Sequence, residues 1–325
     1  MRVAIVTPVF NDWVSLSQLI RELEKAELRP DLAFSLFAID DGSSEPAIID
    51  VPAQGLRSIR EIQIITLACN LGHQRAIAVG LVEVSTRDEF DAILIMDSDG
   101  EDSPAEIANM VSQAAQHPGH IICAQRQRRP GQIVFQLWYE CYKFVFRLLT
   151  GSRIDFGNFC FVPRERLDAL ISNSSIWNNL AGTLTRSRLP LTRVPSDRGK
   201  RYAGTSKMNF VSLVTHGLSA MAVYIDVIMV RILLSMLLLS AATGCAILGV
   251  LVVKYFTALA VPGWATTAVG ILGIILLQAL MLATISSFIV LSTRNMHVVV
   301  PRVDADSFTL TRQRIFPFRI AGIAE

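Results

Sequence analysis

The pattern best suited to chemistry is a short apolar stretch that ends in two carboxylates, Asp97 and Asp99. If the stretch is a strand, their spacing of two residues puts both carboxylates on one face. Gly100 then lets the chain turn, and Pro104 is suited to open the next helix. Paired carboxylates at a strand end suit Mg²⁺ or Mn²⁺ shared with substrate phosphates. The alternative is an acidic turn that caps a helix N-terminus.

Two other polar turns follow apolar runs near the N-terminus. Asp40 and Asp41 precede Gly42, and their carboxylates could accept hydrogen bonds from a base or from ribose hydroxyls. A plain Asp-Gly turn is the alternative. The first run leads into Pro8-Val9-Phe10-Asn11-Asp12, where a dinucleotide-binding fold would need G-x-G-x-x-G. That motif and the P-loop motif are both absent, so the sequence indicates neither a dehydrogenase nor a P-loop ATPase.

The elements that position these turns alternate along the first 200 residues. Short apolar, strand-like runs occur at residues 3–7, 35–39, 62–67, 92–96 and 120–124. Helical patterns lie between several of them, at residues 14–27, 76–85 and 105–116. This alternation predicts an α/β fold with a mostly parallel sheet. Ligands of such sheets bind beyond the carboxyl ends of the strands, which is where the acidic turns fall.

The C-terminal third has a different composition. The chain of 325 residues is 51% hydrophobic and only 18% charged, and no charged residue occurs in 232–253 or in 255–293. A membrane-spanning helix needs about 20 apolar residues, so we predict spans at about 232–253 and 267–291. Pro262 and Gly263 lie between them, where a turn is needed. A pair of buried helices in a soluble protein is the alternative.

Charges that flank the spans predict their orientation. Arg231 precedes the first span, Arg294 and Arg302 follow the second, and the connecting loop carries only Lys254. The positive-inside tendency therefore places both ends in the cytoplasm and the loop outside. The N-terminus shows no signal-peptide pattern. We expect the tail, 294–325, to be cytoplasmic and to form strands that return to the N-terminal domain.

Two helical segments have two interpretations each. Residues 207–230 are apolar with sparse polar breaks, which fits an interfacial helix on the membrane or an ordinary core helix. A second segment is rich in aromatic residues, which fits core packing or a membrane-facing lip that admits a lipid tail. Its aromatic residues are Phe135, Trp138, Tyr139, Tyr142 and Phe146.

Taken together, the motifs resemble those of family 2 glycosyltransferases, in the same order. They are Pro8-Val9-Phe10-Asn11-Asp12, Asp40-Asp41-Gly42-Ser43, Asn70-Leu71-Gly72-His73-Gln74 and Asp97-Ser98-Asp99. With the apolar hairpin, the chain resembles more narrowly the polyprenyl-phosphate glycosyltransferases, such as dolichyl-phosphate mannose synthase. The resemblance covers roughly residues 3–293. It implies a GT-A nucleotide-sugar-binding domain at 1–206 and a C-terminal transmembrane helical hairpin at 231–293.

The resemblance also implies roles for individual residues. The catalytic residues that the resemblance implies are Asp99 and Asp155, which are expected near the reacting centre. Asp155 lies in the segment Asp155-Phe156-Gly157-Asn158. The residues expected to hold Mg²⁺ or Mn²⁺ are Asp97, Asp99 and Glu101. Residues expected to bind the nucleotide-sugar are Pro8, Phe10, Asn11, Asp12, Asp40, Asp41, Asn70, Gly72, Asp97 and Ser98. Residues expected to hold the acceptor phosphate are Arg126 and Arg129 in a basic loop, and Arg201, Ser206 and Lys207 in an R-x-x-G-x-S-K segment.

The chain departs from the family pattern at two of these positions. Asp12 stands where the family usually has Glu, and Glu101 stands where many members have Gln. Both keep hydrogen-bonding oxygens, and Glu101 adds negative charge near the expected metal. The R-x-x-R-W-type signature of processive polysaccharide synthases is absent, which favours a single transfer.

The reaction that these features imply is the inverting transfer of a sugar from a nucleotide-sugar to a polyprenyl phosphate. The predicted place is the cytoplasmic face of a membrane, with lipid as a further partner. The net charge of +2 is nearly balanced, and we expect no nucleic-acid partner; a homo-oligomer stays open. One alternative is a glycosyltransferase with a glycan or protein acceptor. Another is a non-catalytic membrane scaffold.

Overall fold

The computed structural model describes residues 1–26, 31–50, 55–126, 133–204, 210–257, 261–295 and 298–317. The side chains of residues 126, 133–139, 210–213 and 294–295 also lie outside the described part. The chain divides into two compact units. One contains Met1–Leu137, Arg153–Val223 and Val298–Glu325, and the other contains Trp138–Ser152 and Tyr224–His297.

The first unit is built on one sheet, to which the described residues contribute eight strands in the order β7-β5-β6-β4-β1-β2-β3-β8. Pairs β1–β2, β1–β4, β2–β3 and β5–β7 are parallel, whereas β6 and β8 run antiparallel to their neighbours. The predicted α/β class with a mostly parallel sheet is therefore confirmed. The strands are β1 Arg2–Val9, β2 Ala33–Asp40, β3 Ile59–Leu67, β4 Ala92–Ile95, β5 Ile121–Arg126, β6 Cys160–Pro163, β7 Leu191–Ser196 and β8 Thr309–Phe316.

Helices cover both faces of this sheet. In the first helix, Trp13–Lys25, the fully buried residues recur at helical spacing and form one apolar face that packs against the sheet. They are Leu16, Leu19, Ile20 and Leu23. The helices are α1 Trp13–Lys25, α2 His73–Ser85, α3 Ile107–Gln116, α4 Ile133–Thr150, α5 Arg164–Ile171, α6 Leu180–Arg186, α7 Phe210–Ala222, α8 Ile225–Phe256, α9 Trp264–Asn295 and α10 Pro301–Asp304.

Helix α2 approaches the sheet unusually closely at Gly80. A Cβ atom added there would lie 2.6 Å from Val6 Cγ1 and 2.8 Å from Ile39 Cγ1. Both neighbours are fully buried in β1 and β2. Only a residue without a side chain lets α2 lie this near to the sheet, and α2 begins at the predicted Gly72-His73 motif.

The tail returns to the sheet, as the sequence predicted. β8 pairs antiparallel with β3, and Arg312 Nε donates to Glu83 Oε2 at 2.9 Å. Arg314 Nε lies 2.6 Å from Glu61 Oε1. Residues of the predicted tail thus belong to the same compact unit as the sheet. The domain predicted at 1–206 does not contain β8, which is a strand of this sheet.

The second unit contains the two long apolar helices. Both α8 and α9 are long and apolar enough to cross a membrane, and only 6% and 17% of their most apolar windows are buried. Such exposure differs from that of the core helices of a soluble protein. Because α7 ends at Ala222 and α8 begins at Ile225, the predicted interfacial helix over 207–230 is wrong at its C-terminal end: its last residues belong to the first long helix.

Part of the aromatic segment also lies in this unit. Phe146 is buried, with its ring 6.0 Å from that of Tyr142 and 5.8 Å from that of Tyr224. Phe144 and Leu148 of the same helix are exposed. Core packing therefore accounts for Phe146, whereas the side chains of Phe135, Trp138 and Tyr139 lie outside the described part.

We predict that Gly80→Ala lowers the stability of the sheet unit by about 1–3 kcal/mol, because the added methyl group overpacks a rigid core. Thermal unfolding of the detergent-purified protein measures this. Gly249→Ala is the matched control, since apart from the backbone of its own helix no atom of the described residues lies within 4 Å of a Cβ at that glycine. Equal melting temperatures for the two variants would contradict the close packing of α2.

Candidate active site

Three turns of the chain and two neighbouring segments meet at one edge of the sheet because of its topology. Strands β1, β2 and β4 are parallel, so the turns that follow them emerge together. β6 is antiparallel to β4 and β5, and its first residue, Cys160, pairs with Ile95 near the end of β4. The segment before β6 and the residues that end β5 therefore reach the same edge. This is the edge at which ligands of α/β sheets bind.

Asn11 joins the turn after β1 to the turn after β2. Its Oδ1 accepts hydrogen bonds from the N–H groups of Ser44 at 3.0 Å and Glu45 at 3.1 Å. Its own N–H donates to Ser43 Oγ at 2.9 Å. Asn11 adopts a φ of 48°, a left-handed conformation that asparagine tolerates better than most residues. The predicted donor-binding residue Asn11 thus shapes the site, while the neighbouring Phe10 ring is exposed at the edge.

The two carboxylates at the end of β2, Asp40 and Asp41, are buried and bonded to the backbone. Asp40 Oδ1 accepts from the Ser43 N–H at 2.9 Å. Asp41 accepts from the N–H groups of Leu71 at 2.7 Å and Gly72 at 2.9 Å. Burial raises the pKa of Asp41, and these two backbone donors oppose the rise. Asp41 therefore holds the turn that carries the predicted residues Asn70 and Gly72, and Asn70 itself is exposed.

The turn after β4 carries the remaining acidic residues. Asp97 and Asp99 are half-buried, and Asp102 Oδ2 accepts the Asp97 N–H at 2.9 Å. Asp99 Oδ1 accepts the Glu101 N–H at 2.9 Å. Burial raises the pKa of Asp99, and the charges of Glu101 and Asp102 raise it further. A desolvated carboxylate among like charges is stabilised by a nearby cation.

A segment that follows β7 supplies positive charge at this turn. Arg201 Nη2 lies 3.3 Å from Asp99 Oδ2, and Arg198 forms an ion pair with Glu101. Backbone bonds accompany these pairs: the Gly199 N–H donates to the Glu101 carbonyl at 2.9 Å, and the Tyr202 N–H to the Asp99 carbonyl at 2.8 Å. The predicted acceptor residue Arg201 is thus placed beside the predicted metal residue Asp99.

Asp155 lies at the same edge with both of its oxygens engaged. Gln125 Nε2, near the end of β5, donates to Oδ2 at 2.9 Å, and Arg193 Nε of β7 donates to Oδ1 at 2.8 Å. The Arg193 guanidinium also lies 5.6 Å from the centre of the buried Phe156 ring. This arrangement fixes Asp155 as an acceptor of hydrogen bonds from its neighbours.

A buried glutamine ties the Asp155 segment to α2. Gln74 Nε2 donates to Asn158 Oδ1 at 2.8 Å, and Gln74 Oε1 accepts the Leu180 N–H at 2.7 Å. The resemblance quoted both Gln74 and Asn158 but linked neither to the other. Contacts between residues far apart in sequence carry no local signal, which is why the roles of Gln125 and Arg193 and the link of Gln74 to Asn158 were not predicted.

Several predicted acceptor residues lie outside the described part. These are Arg129, Ser206 and Lys207, together with the side chain of Arg126, whose backbone ends β5. Arg198 lies in a stretch of sequence that is rich in basic residues. Its ion pair with Glu101 is evident only from the fold.

The acidic turn fits a divalent cation only in part. Among the described residues, no group of three histidine, cysteine or acidic side chains is arranged to hold a metal. Glu101 forms an ion pair with Arg198, and the predicted set of Asp97, Asp99 and Glu101 stays a prediction. Two carboxylates with substrate phosphates are a usual set for Mg²⁺, and the desolvated Asp99 with Asp97 fits that donor set.

Two curated proteins are similar in sequence to this chain. Undecaprenyl-phosphate 4-deoxy-4-formamido-L-arabinose transferase of Erwinia tasmaniensis is 27% identical over 218 residues, which are 66% of this chain and 65% of that protein. The protein of the same name from Salmonella choleraesuis is 27% identical over 220 residues, or 66% and 64% of the two chains. The chain thus spans less than two thirds of the length of these curated relatives.

Among solved structures, glucosyl-3-phosphoglycerate synthase of Mycobacterium tuberculosis, in complex with Mn²⁺ and UDP-glucose, is 15% identical. It has a TM-score of 0.47 over 70% of this chain and 78% of that one. This likeness is too distant to support an argument about the present site. A model of one family, described as glycosyl transferase family 2, matches residues 4–167. The match covers half of the chain and includes the turns after β1, β2 and β4, and the chain therefore belongs to glycosyl transferase family 2.

Proposed function

We propose that this protein transfers one sugar from a nucleotide-sugar to a polyprenyl phosphate, with inversion, at the cytoplasmic face of a membrane. The observation that carries the proposal is the meeting of acidic and basic side chains at one sheet edge, with Arg201 3.3 Å from Asp99. Such a site can hold two anionic substrates at once. The names of the relatives, which are undecaprenyl-phosphate sugar transferases, support the lipid phosphate as acceptor.

The acceptor chemistry follows from the ionisation of phosphate. A sugar hydroxyl needs a general base, whereas a phosphate monoester has a second pKa of about 6 and is already a charged nucleophile at pH 7. Asp155 has both oxygens occupied by Gln125 and Arg193, which favours an orienting role over proton abstraction. The site therefore suits a phosphate better than a hydroxyl acceptor.

The harder problem for this reaction is repulsion between the substrates. Two like charges about 4 Å apart repel by about 4 kcal/mol at an effective dielectric near 20. Arg201 supplies compensating charge, and its planar fork suits a phosphate. Lys207, Arg126 and Arg129 add positive charge in neighbouring segments of the sequence. Asp97 and Asp99 would hold Mg²⁺ or Mn²⁺, which neutralises a diphosphate leaving group.

The remaining donor contacts fall to the turns after β1, β2 and β3. The exposed Phe10 ring and the exposed Asn70 are the side chains most available to a nucleotide. Asp41 and Asn11 act indirectly, since their polar atoms hold these turns. The apolar helices α8 and α9 support placement of the enzyme where its lipid acceptor resides.

We predict that Asp99→Asn abolishes both transfer and Mn²⁺ binding, because it removes half of the paired carboxylate charge. Isothermal titration with Mn²⁺ and a transfer assay measure the two effects. Asp88→Asn is the matched control, since that side chain is fully exposed and pairs only with Arg164 among the described residues. Wild-type transfer that survives exhaustive chelation would refute the metal requirement.

We predict that Arg201→Ala and Lys207→Ala lose roughly 10- to 100-fold in kcat/KM with a polyprenyl-phosphate acceptor, as expected for lost charge-assisted contacts. Arg201→Lys should fall between wild type and alanine, and Asp155→Asn should keep measurable activity. Nucleotide-sugars are screened against undecaprenyl phosphate, with products read by lipid mass spectrometry. A fully inactive Asp155→Asn beside near-normal Arg201→Ala would point to a hydroxyl acceptor instead. No product with any donor would favour a non-catalytic scaffold.

We predict that the loop between α8 and α9 faces outward and the sheet unit faces the cytoplasm. In a background without the five native cysteines, Gly263→Cys should react with an impermeant thiol reagent in intact cells. Ser44→Cys should react only after the cells are permeabilised. The reverse pattern would overturn the proposed orientation.

A further inference from the structure

The acidic turn and the segment after β7 touch along their backbones as well as through their side chains. A Cβ atom added at Gly199 would lie 2.1 Å from the Gly100 carbonyl oxygen. One added at Gly100 would lie 2.8 Å from the Lys200 carbonyl oxygen and from the Tyr202 ring, and Gly100 has a φ of 89°. Two glycines therefore allow a close approach that any side chain would prevent.

Two ion pairs join the same two pieces of chain. Arg198 pairs with Glu101, whose side chain is 16% exposed, and Arg201 pairs with Asp99, whose side chain is 18% exposed. The backbone bonds from Gly199 and Tyr202 lie next to these pairs, at Glu101 and Asp99. Charge-assisted hydrogen bonds at partly desolvated positions are stronger than neutral ones, so the Glu101–Arg198 pair is well placed to hold the segment.

We propose that Glu101 is a positioning residue rather than a metal ligand: with Arg198 it anchors residues 198–202 to the acidic turn and so places Arg201 beside Asp99. Glu101 lies two residues from Asp99, and Arg198 lies three residues from Arg201. Loss of the pair frees one end of a short segment that is also held by two backbone bonds, by the Arg201–Asp99 pair and by the packing of Tyr202. The anchoring itself is independent of the reaction, and its effect on catalysis rests on the proposed function.

Hydrogen–deuterium exchange tests the anchor without any assay of activity. Glu101→Gln and Arg198→Gln should each speed exchange of the Gly199 and Tyr202 amides roughly tenfold, as a locally weakened segment opens more often. Lys200→Gln is the matched control within the segment, and it should leave these amides unchanged. Unchanged exchange in Glu101→Gln and Arg198→Gln would overturn the proposal.

Metal binding and kinetics separate anchoring from ligation. Glu101→Gln should lower Mn²⁺ affinity far less than Asp99→Asn does, since it removes no carboxylate ligand, while the KM for the lipid phosphate rises. The double variant should be no worse than either single one, because both remove the same interaction. Exchanging the two charges, Glu101→Arg with Arg198→Glu, should restore part of the amide protection.

Two results would overturn the assignment of Glu101. One is a loss of Mn²⁺ affinity in Glu101→Gln as large as in Asp99→Asn, which would make Glu101 a ligand. The other is full additivity of Glu101→Gln and Arg198→Gln in amide exchange. If the wild type transfers no sugar to any lipid phosphate, the proposed function fails, yet exchange and Mn²⁺ titration still decide whether the anchor exists.

Discussion

The candidate active site depends on the pairing of β1 with β2 on one side and with β4 on the other. Val9 is the partner of Asp40, and Val6 is the partner of Ile95. Parallel strands end at the same edge of a sheet, so these two registers bring three polar turns together. Residues 3–6 of β1 are fully buried, and the close approach of α2 at Gly80 to Val6 and Ile39 leaves little freedom for a shift between the strands.

Carboxylates that lie close together at one edge of the sheet repel one another, and two kinds of contact offset this repulsion. Asp41 and Asp102 are satisfied by backbone N–H groups, at Leu71 and Gly72 and at Asp97. Such donors stabilise a buried carboxylate without a countercharge. Asp99 and Glu101 instead face arginines. The acidic residues therefore divide into those that build the turns and those that present charge at the surface of the site.

The last described strand, β8, forms one edge of the sheet that also contains the first strand, β1. β8 covers the edge of β3, and Arg312 and Arg314 fix it to Glu83 and Glu61. A bare edge of β3 would offer unpaired backbone groups to other chains. The residues on either side of α8 and α9 thus belong to one compact unit, although a long apolar hairpin separates them in sequence.

Local patterns were enough to determine much of this protein. Apolar runs followed by polar turns located β1 to β5, because a buried strand and its turn differ in composition over a few residues. The absence of charge located the two long helices, and four motifs in order indicated the family that the match over residues 4–167 confirms. Each of these features depends only on residues within one short stretch of the chain, and it can therefore be predicted from the sequence.

Only the tertiary structure decided which polar side chains contact one another. The sequence predicts that Asp41 binds the donor and that Glu101 holds a metal, and the fold adds contacts that the sequence does not show: Asp41 accepts from the Leu71 backbone amide, and Glu101 pairs with Arg198. The links of Gln74 to Asn158 and of Arg193 to Asp155 were equally hidden. The sequence around a carboxylate does not show which group it will contact. That partner depends on the order of the strands in the sheet. The order brings together residues as far apart in sequence as Asp41 and Leu71, at 30 positions, or Gln74 and Leu180, at 106 positions.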